Sequence, residues 1–271
     1  MAKHPTKSPY FRQKCAEVGS CLPFPPLSAP SFGLIQEKLA HDPFRLLIAT
    51  IFLNRTRAEV AIPVLYNVFD KYPTVDTLAK ADVDHIVSMI RPLGVQNSRA
   101  RKCVGIAQLW LTDSPVKGKR YRKLNYRNKR DGRDIGPGEF VDADDTRIAW
   151  EIAHLPGLGA YALDSWRIFC RDELRGLATD WNGAGAAEGF SPEWKSVLPK
   201  DKELRAYLTG MWLKEGWEWK KETGDKTAAS KRVIRAARRG AVAQEMNGNW
   251  VIETSPTKTP GRGQMEPRKN P

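Results

Sequence analysis

The chain has 271 residues, 41% of them hydrophobic, enough to bury one sizeable core with tails to spare. No stretch approaches the ~20 continuous apolar residues of a membrane span, and the N-terminal MAKHPTKSPYFRQK lacks the apolar run of a secretory signal. The formal charge is +13, with +8 on Pro115–Arg133 and +6 on Asp225–Pro271, which leaves −1 for everything else; a near-neutral body therefore bears a basic insert and a basic tail, suited to a polyanion such as nucleic acid.

In chain order, residues 1–27 are rich in Pro and Ser without a period and are expected to form a disordered arm. The body follows over 28–224. Asp42 is placed to cap a helix starting at Pro43, and the apolar run from Phe44 to Leu53 reads as a buried central helix. A second helix is expected from about Thr56 to Tyr72, stopped before Pro73. TVDTLAKADVDHIVSMIRPLG gives two short helices, the second capped by Asp82 and ended at Pro92 and Gly94. SRARKCVGIAQLWL gives an amphipathic helix. The basic stretch that follows marks about 113–144 as an exposed, loop-like insert, and GLATDWNGAGAAEGFSPEW marks 176–196 as a second.

Between the inserts, Asp145–His154, a glycine turn and Ala160 to about Glu173 read as helix–hairpin–helix. DKELRAYLTGMWLKEGWEWKKE reads as a tryptophan-rich helix packing back on the body, and 225–271 as a largely disordered basic tail. No convincing run of period-two alternation appears, so the fold class is all-α. Trp110, Trp166, Trp212, Trp217 and Trp219 stand at helical spacing and are expected to pack in the core. Cys15, Cys21, Cys103 and Cys170 lack metal or cluster spacing and are read as reduced thiols of an intracellular protein. His4, His41, His85 and His154 form no i, i+4 pair, and no metal or other cofactor is expected.

HLPGLGAYALDSW holds the most informative turn. Gly157 and Gly159 flank Leu158 just where a helix begins, and its first N–H groups have no partner within the helix. A phosphate oxygen would satisfy those amides and the positive end of the helix dipole together. Leu155 and Leu158 would anchor the hairpin. Such contacts fix position along DNA without reading sequence.

With LIQEKLAHDPFRLLIATIFLNRT, AIPVLYNVFDKYP, IRPLGVQNSRA, LPGLGAYALDSWRIFC and VLPKDKELRAYLTGMW, the chain resembles the helix–hairpin–helix DNA glycosylases of the endonuclease III superfamily over about residues 31–222. Within them it resembles the mismatch-specific thymine glycosylase domain of methyl-CpG-binding-domain protein 4. The resemblance implies two helical lobes with a cleft between them. It also implies a monofunctional glycosylase of base excision repair, acting on thymine or uracil mispaired with guanine in double-stranded DNA. It places the catalytic aspartate at Asp201, the base pocket at Tyr161 and Gln36, and the residue filling the hole left by the flipped nucleotide at Arg55. Val95 falls at the wedge position, where Leu is usual. Tyr161 stands where strand-cutting relatives carry a Schiff-base lysine, so no lyase activity is expected.

The residues bear this chemistry by themselves. A carboxylate beside the sugar C1′ stabilises an oxocarbenium-like state and activates water, and Gln offers both donor and acceptor to a pyrimidine edge. Asp201 equally reads as an N-cap, a compatible role, and Asp164 is the rival carboxylate, otherwise a structural partner for a nearby Arg. Leu155, Gly157 and Gly159 of the hairpin, with Lys117, Lys119 and Arg120 of the insert, are the remaining candidate DNA contacts. A monomer working in the nucleus is expected. The alternative is a non-catalytic DNA-binding module or a chromatin or repair adaptor, neither of which would need Asp201, Tyr161, Gln36 and Arg55 together.

Overall fold

The computed structural model describes residues 24–240, 242–244 and 250–252. The expected arm lies outside the described residues up to 23, and most of the tail beyond 240 does too. Ten α-helices in the described residues carry the architecture: α1 Ile35–Leu39, α2 Pro43–Leu53, α3 Ala58–Lys71, α4 Val75–Ala79, α5 Val83–Met89, α6 Gln96–Thr112, α7 Ala160–Phe169, α8 Arg171–Leu174, α9 Lys202–Lys214 and α10 Lys231–Ala237. Three two-stranded antiparallel ribbons accompany them: β1 Arg120–Tyr121 with β2 Phe140–Val141, β3 Trp217–Trp219 with β4 Lys226–Ala228, and β5 Val242–Gln244 with β6 Trp250–Ile252.

The fold turns on α2. Asp42 accepts the Arg45 amide at 3.0 Å and Pro43 occupies the first position, so the helix starts where its cap and proline dictate. Phe44 and every residue from Leu46 to Phe52 are buried, because α2 packs against four helices, α1, α3, α6 and α7. One continuous apolar core joins the two sets of helices through it. The helix at α3 runs through Pro63 without stopping.

Three expectations are corrected. The segment 145–154 forms successive turns and an isolated bridge rather than a helix, so the hairpin is entered from irregular chain. The α9 helix does not run on to residue 222. Gly216 takes a φ of +86°, which ends it, and the alternating W-E-W that follows pairs as β3 with β4. Residues 225–240 of the expected tail are folded: α10 buries Val233, Ala236 and Ala237 against Leu213, Phe24 and Leu27.

The basic insert is a folded excursion rather than an open loop. Tyr121 and Tyr126 are buried, Tyr121 pairs through its backbone with Trp150, and Tyr126 meets the Trp150 ring edge-on at 5.1 Å. Ile135, Val141 and Ala149 make a small core of their own. The second insert is fastened by charge. Glu193 accepts Arg167 Nε at 2.6 Å and pairs with Arg171 Nη1 at 3.0 Å, while Arg171 also reaches the buried Glu151 at 3.1 Å and both guanidiniums lie over Trp150. Pairing opposite charges offsets part of the desolvation penalty that either would pay alone.

Candidate active site and DNA-facing surface

The hairpin is built by α6 and α7 together. Gly157 has a φ of +75°, and a Cβ there would fall 2.5 Å from the Lys102 side chain of α6. The positive φ demands glycine, whereas the Lys102 methylenes could move aside. Gly159 is different. Its φ is −101° and an added Cβ would meet nothing, so neither conformation nor internal packing calls for glycine. What glycine preserves there is open space at the head of α7. The first bond of that helix runs from Leu163 N–H to Gly159 O, leaving the amides of Ala160, Tyr161 and Ala162 without helical partners, as at an anion site. Leu155 and Leu158 are buried, so Leu155 supports the hairpin from beneath rather than touching a ligand.

In the first turn of α7, three elements converge. Buried Gln36 of α1 donates Nε2 to the Tyr161 hydroxyl at 2.7 Å. Asp201 caps α9, its Oδ1 accepting the amides of Glu203 at 2.9 Å and Leu204 at 3.0 Å. Oδ2 takes no part in either bond. Burial raises the Asp201 pKa above the ordinary carboxylate range, against the downward pull of the two amides. Burial, and then the negative field of Asp201, raises that of Tyr161, which stays a neutral donor at physiological pH. The N-cap reading of Asp201 holds, and its two bonds engage only one carboxyl oxygen.

Arg55 and Val95 stand at two exposed turns, both left-handed, with φ of 59° and 49°. Val95, 72% exposed, heads α6 without side-chain capping. A β-branched residue in that region is costly, and such outliers persist only where the surroundings fix them. The surroundings here are Arg99, a residue the motif reading missed. It is buried one turn into α6 and its backbone N–H reaches Val95 O at 3.1 Å. Its guanidinium donates to Ile51 O at 3.0 Å, to Phe52 O, to Asn54 O at 2.9 Å and to Thr56 Oγ1 at 2.8 Å. It therefore closes the C-terminus of α2, grips both neighbours of Arg55, and ties that turn to the Val95 turn. The available signal was register: Arg99 precedes Cys103 and Ile106 on the apolar stripe of α6, where a charge needs acceptors.

The sequence profile of the HhH-GPD superfamily of base excision DNA repair proteins matches residues 48–175, which include the C-terminal half of α2, the Arg55 and Val95 turns, Arg99, the hairpin and α7. Residues 48–175 are an HhH-GPD domain. Among curated proteins, thymine-DNA glycosylase of Aeropyrum pernix is 33% identical over 67 residues, covering 25% of this chain and 30% of that protein. The methyl-CpG-binding domain protein 4-like protein of Arabidopsis thaliana is 24% identical over 176 residues, covering 65% of this chain and 27% of that protein. The matches thus span less than a third of either relative. Among solved structures, a thermostable thymine-DNA glycosylase aligns at 22% identity with a TM-score of 0.34, over 49% of this chain and 50% of that one.

Asp164, the rival carboxylate, sits in α7 of the HhH-GPD domain and is buried. Its Oδ1 accepts the Tyr126 hydroxyl of the basic insert at 2.7 Å, so its hydrogen-bond partner is a tyrosine rather than the arginine expected. Burial lifts its pKa to about 6, with Tyr126 and Arg167 opposing and the charge of Asp201 adding to the rise. Of the candidate insert cations, Lys119 pairs with Asp113 at 2.7 Å and Arg120 donates to the carbonyls of Asp142, Asp145 and Arg147. Lys117 stays exposed. Among the described residues, no group of three His, Cys, Asp or Glu side chains could hold a metal ion.

Because the folded state binds the Asp164 proton more tightly than the unfolded chain, this group's contribution to stability is full below about pH 4 and is lost as pH rises through its folded value. The Asp164→Asn variant cannot titrate. Urea unfolding should show it gaining on wild type between about pH 4.5 and pH 7; a constant difference across that window would show that Asp164 is not a raised, buried acid.

Proposed function

We propose that the protein is a monofunctional DNA glycosylase that hydrolyses the N-glycosidic bond of thymine or uracil mispaired with guanine. The observation that carries this reading is the Gln36–Tyr161 hydrogen bond lying in the field of the capped Asp201 carboxylate. A base-reading pair and an anion occupy one small site.

Turning a pyrimidine out of a duplex costs a few kcal/mol, and less from a mispair. Arg55, held outward by the Arg99-gripped turn, fills the gap while remaining able to pair with phosphate or the orphan guanine, and Val95 wedges beside it. Tyr161 receives Gln36 Nε2 on its oxygen and keeps its own O–H to donate, while the Gln36 carbonyl is left to accept N3–H of the pyrimidine. As the C1′–N1 bond breaks, its electron pair leaves with the base and positive charge grows on the sugar. The Asp201 carboxylate stabilises that charge and takes a proton from the water adding to C1′. The products are the free base and an abasic site. Tyr161 supplies no amine for a Schiff base at this position.

The Asp201→Asn variant should lose release of thymine or uracil from G·T and G·U duplexes by about 10³-fold while keeping its duplex affinity. Wild-type single-turnover release should fall on the acid side through a single ionisation above the ordinary Asp value of about 3.9, since the carboxyl must be charged to act. Undiminished release by Asp201→Asn would overturn the assignment.

Gly159→Ala should fold with an unchanged melting temperature, because its site is open and its φ is negative, yet bind duplex about tenfold more weakly as a methyl group enters the phosphate path. Equal binding would remove the hairpin amides from the interface. Arg99→Gln should lose far more release from a G·U duplex than from single-stranded uracil DNA, where no hole needs filling. An equal loss on both would make Arg99 merely structural.

A further inference from the structure

The insert's nine basic side chains do not form one undifferentiated cloud of charge. Lys119 and Arg120 are committed to Asp113 and to three carbonyls. Arg122 donates to Ile135 O at 3.3 Å, Arg127 reaches Ser196 O at 3.4 Å, and Lys123, half buried, donates to Leu158 O inside the hairpin. Lys129, Arg130 and Arg133 are exposed and are held by no side-chain bond or ion pair among the described residues. These three stand together at the tip of the excursion.

The tip is ordered before any ligand arrives. Asn125 N–H meets Asp131 O at 3.0 Å, Asn128 N–H meets Asp131 Oδ2 at 2.8 Å, and Arg130 N–H meets Asn125 Oδ1 at 3.0 Å. Asn125, Arg127 and Arg130 all take positive φ, of 55°, 70° and 85°. Three left-handed non-glycine residues in six positions is strain that compact turn bonding must hold in place.

The root of the tip is fixed to the candidate active site at three points. Tyr126, three residues before Lys129, donates to Asp164, whose ionisation feels Asp201. Lys123 clasps the hairpin at Leu158 O, immediately before the open amides of α7. Arg127 touches the segment that leads into Asp201. Six residues separate Lys123 from Lys129, which is at most ~20 Å of chain. A DNA strand advances 3.4 Å per nucleotide, so cations on this tip and amides on the hairpin reach phosphates within about six nucleotides of each other.

We propose that the tip, through Lys129, Arg130 and Arg133, is a second DNA-backbone contact rigidly coupled to the hairpin, gripping phosphates close to the everted nucleotide. It is a polyanion-binding surface built into the catalytic centre, and it rests on the glycosylase reading only for the identity of that nucleotide.

The test measures duplex affinity against salt for the wild type, for Lys129→Gln/Arg130→Gln, and for Lys220→Gln/Lys221→Gln, which removes the same charge from the β3–β4 turn. Each phosphate contact contributes about −0.9 to the slope of log K against log salt. The tip pair should flatten that slope by about 1.8 and weaken binding at least tenfold at low salt, while the control pair follows the wild type. A tip pair indistinguishable from the control would overturn the proposal. Absence of base release by a wild type that binds with the expected tip dependence would instead overturn the glycosylase reading and leave the clamp standing.

Discussion

Everything at the candidate site depends on how one carboxylate is held. Asp201 is half-buried, and an ionised carboxyl partly out of water must be compensated or it takes up a proton. The head of α9 supplies the compensation through two amide bonds on one oxygen, backed by the positive end of the helix dipole. That arrangement fixes the carboxyl in place and leaves its second oxygen outside both bonds. Moving the helix start by one residue would remove the amides and the position together. The placement of Tyr161 by α7 and of Gln36 by α1 matters because both are assembled around this capped anion.

Two acids share the neighbourhood with opposite environments. Asp201 is capped by amides, whereas Asp164 faces a phenol and sits deep in α7. Each makes ionisation of the other harder, so a proton resting on Asp164 favours a charge on Asp201. The rival carboxylate of the sequence thus bears on the ionisation of Asp201 from within α7. Its partner Tyr126 belongs to the insert, so the insert takes part in the electrostatics of the site.

Much of this was legible because the sequence carries local devices with few meanings. Asp42-Pro43 starts α2, LPGLG turns the hairpin, and DKEL announces a capped helix; each was read from residues that act on their own local backbone. What escaped depends on long-range partners. The W-E-W stretch after Gly216 has only three residues of alternation, too few to compete with the helix before it, and its strand character comes from pairing with Lys226–Ala228. Arg99 drew no reading of its own, because its acceptors lie 43 to 48 residues earlier in the chain. The segment 145–154 had helical spacing but is held by Tyr121 and His154 contacts that pull it into turns.

Charge counting fails on the insert for the same reason. Composition assigns all nine of its cations to a polyanion, and that would be right for a mobile arm. Once the segment folds, carbonyls and carboxylates within the chain compete for the same side chains, and a cation that satisfies a buried carbonyl is no longer free to release counterions from DNA. Lys123 is the extreme case, since the hairpin carbonyl it serves is one residue from the amides expected to meet phosphate. Folding therefore divides the positive charge into a part that builds the anion site and a smaller part that binds at it, and only the second part should appear in a salt titration.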